Sequence, residues 1–134
     1  MYILDTSIII ELLRRNSIFL RKYHQLSGVM VDIFTITLVY YEVQRGIVYA
    51  NATGQKRRLT SLLQTITMLG TDDPQVLDQA ASIHSELRRN GQTVQDIDIF
   101  VMAVALQRDL TVVATDPDFS RATGFIPNLK VEQW

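Results

Sequence analysis

The sequence contains no cysteine and no apolar run long enough to cross a membrane, and both absences narrow its possible functions. Without cysteine, the 134 residues cannot form disulfides, thiolate zinc sites or a cysteine nucleophile. No apolar segment approaches the roughly 20 residues that a membrane-spanning helix needs. The N-terminus also lacks the pattern of a signal peptide. We therefore expect no association with a membrane and a cytoplasmic location.

Internal repeats, low-complexity segments and linker-like stretches are also absent. With 47% hydrophobic and 20% charged residues, the composition is typical of a folded globular protein and excludes a disordered one. The length suits one domain that buries a core of its own. We therefore expect residues 1–134 to form a single domain.

Short apolar runs typical of strands alternate with segments of helical periodicity. The predicted strands cover residues 2–5, 29–36, 65–69, 111–114 and 129–132, and the predicted helices cover residues 8–13, 17–26, 38–50, 56–64, 74–90 and 98–108. Thr6 or Ser7 is expected to cap the first helix and Thr37 the third, which Asn51 and Gly54 interrupt. This alternation predicts an α/β fold, a three-layer α/β/α sandwich with a mainly parallel central sheet.

Four acidic residues stand where predicted strands and helices meet: Asp5, Glu42, Asp98 and Asp116. Asp5 ends the first predicted strand and Asp116 follows another, whereas Glu42 and Asp98 lie in the first two turns of their helices. Because ligands of parallel α/β sheets bind outside the carboxyl ends of the strands, the four carboxylates are expected to share one pocket. Crowded carboxylates repel one another unless a cation neutralises them, so the pocket predicts a divalent metal site.

Carboxylate ligands suit a hard cation such as Mg²⁺ or Mn²⁺. Such a cation polarises a phosphoryl oxygen and makes a water more acidic, while a free carboxylate can orient that water. Hydrolysis of a phosphodiester is therefore the leading prediction. The formal net charge of −1 does not oppose it, because setting the four candidate acids aside leaves 13 basic residues against ten acidic ones.

Five segments carry a family pattern in order along the chain. They are residues 1–7, residues 36–42 with Glu42, Gly91 followed by 98–105, residues 112–119 with Asp116 and Phe119, and residues 129–134. Together they resemble the PIN-domain ribonucleases, and most closely the VapC toxins, over essentially the whole chain. The resemblance implies a Mg²⁺- or Mn²⁺-dependent endoribonuclease that acts on RNA. It also implies a homodimer inhibited by a cognate antitoxin of the VapB type.

The resemblance also assigns roles by position. Asp5 and Asp98 correspond to the principal metal ligands, Glu42 to a carboxylate near the metal, and Asp116 to a more variable fourth acid. The residues that it implies as orienting these carboxylates by hydrogen bonds are Thr6, Ser7 and Thr115. One departure is Val43, which stands where many relatives have leucine after the glutamate.

Two of the assigned acids have close competitors in the sequence. Asp96 precedes Asp98 by two residues, and helical spacing favours Asp98 as the ligand, with Asp96 as a helix cap or an outer acid. Asp118 competes in the same way with Asp116, which is preferred because it lies nearer the strand.

Two other functions stay open at this point. One is a catalytically silent PIN-fold module that binds protein or RNA, although the presence of Asp5, Glu42 and Asp98 argues against it. The other is a metal-dependent phosphatase or DNA nuclease. Ser7 argues against an aspartyl phosphatase, which needs a second acid at that position, and the choice of RNA over DNA depends on the resemblance.

Further expectations concern partners. Tyr40, Tyr41 and Tyr49 are expected either to stack on RNA bases or to pack in the core or a dimer contact. An antitoxin segment is expected to dock on the helices within residues 8–26 and 44–64, which carry arginines and tyrosines. Its tail is expected to place an arginine or lysine beside the acids and to displace the metal.

Overall fold

A computed structural model describes residues 1–134 as five strands and seven helices. In chain order these are β1 (Tyr2–Leu4), α1 (Thr6–Leu13), α2 (Ser17–Ser27), β2 (Ile33–Ile36), α3 (Thr37–Ala50), α4 (Thr53–Leu62), β3 (Thr67–Leu69), α5 (Pro74–Arg89), α6 (Asp96–Arg108), β4 (Thr111–Ala114), α7 (Pro117–Ala122) and β5 (Lys130–Gln133). The strands form one sheet in the order β3-β2-β1-β4-β5, in which every pairing is parallel. The predicted α/β/α sandwich is confirmed.

The two central strands carry the most deeply buried part of the core. Ile3 and Leu4 of β1 and Val112 and Val113 of β4 are fully shielded from solvent, as expected where helices cover both faces of a parallel sheet. One cluster of 32 buried apolar residues joins the sheet to the helices. Residues that follow β1 and β4 therefore stand on the best-packed part of the molecule. None of the helices has the length and apolar composition that a bilayer span requires.

The first helix starts earlier than the sequence predicts and has a different cap. Asp5, in extended conformation, accepts a hydrogen bond from the backbone N–H of Ile8 and so caps α1. Thr6 and Ser7, the predicted caps, both lie inside the helix. Their hydroxyls donate to carboxylates instead of to the helix end. A residue predicted as a site acid is thus also the residue that starts α1.

Three other predicted boundaries are wrong. Thr37 and Asp96 are the first residues of α3 and α6 rather than their caps, and neither helix has a side-chain cap hydrogen bond. Gly54 lies inside α4, while Asn51 alone ends α3 in the left-handed conformation with φ of 50°. Burial of the apolar faces of these helices outweighs the local preference of single residues for caps and breaks.

Strand lengths and one short helix also differ from prediction. β2 begins only at Ile33, because Met30 adopts φ of 53° and is 98% exposed, which ends extended pairing. The neighbouring strand β1 has only three residues, so it cannot pair with a longer β2. Helix α7 is not predicted at all, since its six residues are too few to show a helical period.

Candidate functional site

Five carboxylates meet at the carboxyl edge of the sheet and line one cavity of about 230 Å³, here called the acidic cavity. The acids are Asp5, Glu42, Asp98, Asp116 and Asp118, and the other lining residues are Thr6, Ser7, Ile10 and Gln95. The sheet order explains this convergence, because β1 pairs with both β2 and β4 and the acids follow these strands or begin α6. All four predicted acids are brought together and Asp118 joins them, whereas Asp96 is exposed and lies outside the cavity.

Asp5 is held in place from two sides and is only 3% exposed. Its Oδ1 accepts hydrogen bonds from the Ser7 hydroxyl at 2.7 Å and from the Ile8 N–H at 3.2 Å. Burial raises the pKa of Asp5 to about 6. The hydrogen bonds oppose that rise and the charge of Asp116 adds to it. Asp5 therefore has two structural roles, since one oxygen caps α1 while the carboxylate lines the cavity.

Asp98 lies in the first turn of α6, whose following residues are buried in the core. Burial is the main reason that its pKa rises to about 7. The negative charges of Asp5, Asp116, Glu42 and Asp118 raise it further, in that order. Near neutral pH this carboxyl is therefore only partly ionised, and a nearby cation would favour its ionised form.

Glu42 is fixed by a threonine and an arginine. The Thr6 hydroxyl donates to its Oε2 at 2.6 Å, and Arg45 Nη2 lies 3.6 Å from its Oε1. Thr6 therefore orients a carboxylate by a hydrogen bond, as the resemblance implies. The contact also joins α1 to α3 across 36 positions of the sequence.

Ser7 links the acids to β4. Its hydroxyl donates to Asp5 and accepts from the backbone N–H of Thr115 at 3.1 Å, across 108 positions. The role implied for Thr115 therefore belongs to its backbone, and it is exerted through Ser7 rather than through its own hydroxyl. This chain of hydrogen bonds fixes the direction of the Asp5 carboxylate relative to the end of β4.

The tightest group of oxygens in the acidic cavity comes from three aspartates. Asp98, Asp116 and Asp118 each offer a carboxylate oxygen within 4.8 Å of the others. An all-oxygen, negatively charged donor set of this size suits a divalent cation. Asp116 also caps α7 by accepting from the Asp118 N–H at 2.9 Å. Both Asp116 and Asp118 therefore line the acidic cavity, and the preference for Asp116 as a site acid stays a prediction.

Two arginines that the sequence analysis does not single out touch acids of the cavity. Arg45 pairs with Glu42 and Arg121 pairs with Asp118. In both pairs the arginine follows the acid by three residues on the same helix. That spacing brings opposite charges together on a helix surface and is the signal that could have identified them.

A second cavity of about 610 Å³ lies between α1, α2 and α4 and is called the basic cavity here. Its charged lining consists of Arg15, Arg57 and Arg58, joined by the exposed His24, and no acidic residue contributes. The remaining lining residues are Leu12, Leu13, Leu20, Tyr23, Gly54, Ser61, Leu62 and Thr65. The surface thus combines positive charge with an apolar floor.

The sequence of this chain matches a known protein family. The PIN-domain profile matches residues 2–124. The chain belongs to the PIN-domain family. No curated protein sequence matches the chain.

Solved structures with this fold include several toxin–antitoxin complexes. A chain of VapBC2 from Rickettsia felis, bound to a DNA fragment from its promoter, has a TM-score of 0.86 and 20% identity over 99% of this chain and 98% of that one. FitAcB from Neisseria gonorrhoeae has a TM-score of 0.79 and 26% identity over 98% and 96% of the two chains. VapC20 from Mycobacterium tuberculosis, a sarcin-ricin loop cleaving toxin, has a TM-score of 0.66 and 16% identity over 94% and 97%.

Proposed function

We propose that this chain is a metal-dependent endoribonuclease that hydrolyses RNA phosphodiester bonds, and that it is the toxin of a VapBC-type toxin–antitoxin pair. The observation that carries the proposal is the convergence of Asp5, Glu42, Asp98 and Asp116 in one cavity of a PIN-domain chain. Similarity to VapC chains, one of them a cleaving toxin, supports RNA as the substrate class. We further propose that residues 1–134 act as one domain in the cytoplasm, where RNA is accessible.

Asp5 and Asp98 are the proposed principal ligands of the cation, with Asp116 and Asp118 completing the set. We propose Mg²⁺ or Mn²⁺, because the donors are all carboxylate oxygens. A bound divalent cation would supply Lewis acidity at a phosphate oxygen and offset the charge of the acids. The chain's own contribution is orientation: Ser7 fixes Asp5, and Thr6 fixes Glu42. These bonds hold the carboxylates before substrate arrives.

The proposed activity can be tested by incubating purified protein with total cellular RNA in Mg²⁺, in Mn²⁺ and in chelator, followed by mapping of new 5′ ends. We expect discrete cuts that require metal and disappear in Asp5→Asn and Asp98→Asn. Asp96→Asn is the matched control, since Asp96 lies on the same helix but outside the acidic cavity. Metal-independent cuts, or loss of cuts in Asp96→Asn as well, would contradict the proposed site. Folded protein that makes no cuts in either metal would favour the silent binding module.

We propose that the antitoxin docks in the basic cavity. Helix α1 connects the two cavities, because Thr6, Ser7 and Ile10 line the acidic one and Leu12 and Leu13 line the basic one. A partner segment that leaves the basic cavity along this eight-residue helix needs to extend only about 12 Å to reach the acids. Its tail would then place an arginine or lysine beside them and displace the cation.

The lining of the basic cavity specifies the chemistry of that segment. The three arginines call for acidic residues, and the leucines of the lining call for bulky apolar ones. The proposed antitoxin segment therefore alternates acidic and apolar side chains before its basic tail. A toxin that cuts RNA at full rate with this segment bound would contradict the proposed mode of inhibition.

We also propose a homodimer that pairs through the outer face of α3. Val48 is 66% exposed and Tyr49 is 94% exposed, so neither packs in the core of its own chain. Light scattering of Tyr49→Glu should give half the molecular mass of the unchanged protein. An unchanged mass would place the dimer contact elsewhere.

A further inference from the structure

Among the four ion pairs of the molecule, two join an arginine to an acid of the acidic cavity. We propose that Arg45 and Arg121 form a phosphate clamp that binds the RNA backbone on the two sides of the acidic cavity. The inference rests on the proposed ribonuclease function and names the residues that would hold its substrate.

The negative charge of the acidic cavity calls for cations at its rim. Five carboxylates line the cavity, and a single divalent cation would offset only part of their charge. RNA is a polyanion, so a cavity of this sign repels its own substrate unless cations stand at the rim. Arg45 and Arg121 are the cations that contact the acids of the cavity in ion pairs.

The positions of the two arginines in the fold also favour a clamp. Arg45 lies on α3, which follows β2, and Arg121 lies on α7, which follows β4. Strands β2 and β4 flank β1 in the sheet, and Asp5 follows β1. The two guanidinium groups therefore approach the acids from helices on either side of Asp5. A strand that places one phosphate at the acids would pass one arginine before it and the other after it.

Both arginines are also exposed enough to exchange their partners. The side chains of Arg45 and Arg121 are 54% and 47% exposed, so each guanidinium keeps contact with solvent. Ion pairs this exposed contribute little to stability, so exchanging the carboxylate partner for a phosphate costs little free energy. Arginine also matches the two oxygens of a phosphate with paired N–H donors.

Neighbouring side chains hold both arginines near the cavity. The Arg45 guanidinium lies over the ring of Tyr41, 5.4 Å from its centre. Arg121 donates from Nε to Gln92 Oε1 at 2.8 Å, while another of its nitrogens reaches Asp118. Each guanidinium is thus oriented by a second contact and still presents free N–H groups to the solvent side.

The test measures RNA binding in an Asp98→Asn background, which we expect to bind without cutting, by fluorescence anisotropy of a labelled single-stranded oligoribonucleotide of random sequence. Arg45→Gln and Arg121→Gln should each weaken binding by about three- to tenfold and lower the salt-dependence slope by about 0.7. Arg45→Lys should keep the slope, because its charge is retained, while losing part of the affinity.

Arg14→Gln is the matched control, since Arg14 pairs with Glu11 at the same helical spacing but away from the cavity. Equal affinity and slope for the Arg45, Arg121 and Arg14 variants would overturn the clamp. If the Asp98→Asn protein binds no RNA and the unchanged protein makes no cuts, the proposed function fails instead. Cuts by the unchanged protein with no effect of either arginine overturn the clamp alone.

Discussion

The acidic and basic cavities differ in size, charge and support although one helix connects them. The acidic cavity is small, about 230 Å³, and is lined by side chains that hydrogen bonds hold at the end of the central strands. The basic cavity is larger, about 610 Å³, and lies between helices away from the sheet edge. Small, rigidly held and polar surroundings suit chemistry on one phosphate. A wider cavity with an apolar floor suits a protein segment. The acidic cavity therefore suits the proposed catalysis, and the basic cavity suits the proposed inhibition.

The largest expected effect falls on the acidic cavity alone. Asp98→Asn should lower RNA cleavage by about 10²- to 10⁴-fold, because it removes a charged group at the proposed reacting centre. The affinity for the antitoxin segment should remain nearly unchanged if the basic cavity carries most of that contact. Single-turnover cleavage and peptide binding, measured on the same preparation, would check both. A comparable loss in both measurements would erase the distinction between the cavities.

The opposite pattern is expected for a substitution in the basic cavity, with weaker antitoxin binding and unchanged cleavage. Arg57→Glu should weaken antitoxin binding by about ten- to a hundredfold, since it places like charges together, and should leave the cleavage rate of the free toxin unchanged. Arg88→Glu is the control, because Arg88 is exposed on α5 and lines neither cavity. Equal effects of the two substitutions would indicate a general response to net charge instead of docking at Arg57.

Metal binding should depend on pH through the two carboxyls with raised pKa. Asp98, with a pKa of about 7, and Asp5, with one of about 6, must lose protons before they can bind a cation. The affinity for Mn²⁺ should therefore fall by about tenfold or more between pH 8 and pH 6. Calorimetry in buffers of different ionisation enthalpy should record proton release. A flat pH profile would exclude these two acids as ligands.

The smallest expected effect concerns stability without metal. Because the pKa of Asp98 is raised in the folded state, the folded chain binds more protons than the unfolded chain between about pH 4 and pH 7. Its stability therefore falls as pH rises through this window. Asp98→Asn removes this loss and should stabilise the metal-free protein by about 1–2 kcal/mol at pH 8, allowing for solvent screening. Urea unfolding at pH 8 and pH 4 would measure the difference.

That stability gain should vanish near pH 4, where the Asp98 carboxyl is neutral in the folded protein. Asp96→Asn should change stability little at either pH, since Asp96 is exposed. If Asp98→Asn destabilised the protein at pH 8, favourable interactions of the ionised Asp98 carboxylate would have to exceed the cost of its burial.

Much of the site could be predicted because its signals are local. Asp5 and Asp116 each follow an apolar run, and the carboxyl ends of parallel strands share one edge. Asp98 could be preferred over Asp96 because helical spacing orients only one of them inwards. Of these two residues, only Asp98 lines the acidic cavity. These arguments need only the period of a strand or a helix.

Other parts of the site could not be read from local pattern. Asp118 enters the cavity on α7, which is too short to show a helical period. Thr115 acts through its backbone, which no sequence motif marks. Tyr41 and Tyr49 are exposed rather than packed in the core. Their spacing along α3 does not distinguish an exposed position from a buried one.

The sequence by itself determined the alternation of strands and helices, the parallel sheet and the four acids at the ends of its elements. These depend on periodicity and on the residues that bound each run. Only the tertiary structure decided that β1 lies between β2 and β4, that Ser7 reaches Thr115 and that burial raises the pKa of Asp5 and Asp98. The physical reason is that a pKa and a strand order depend on segments far apart in sequence, which meet only when the core forms.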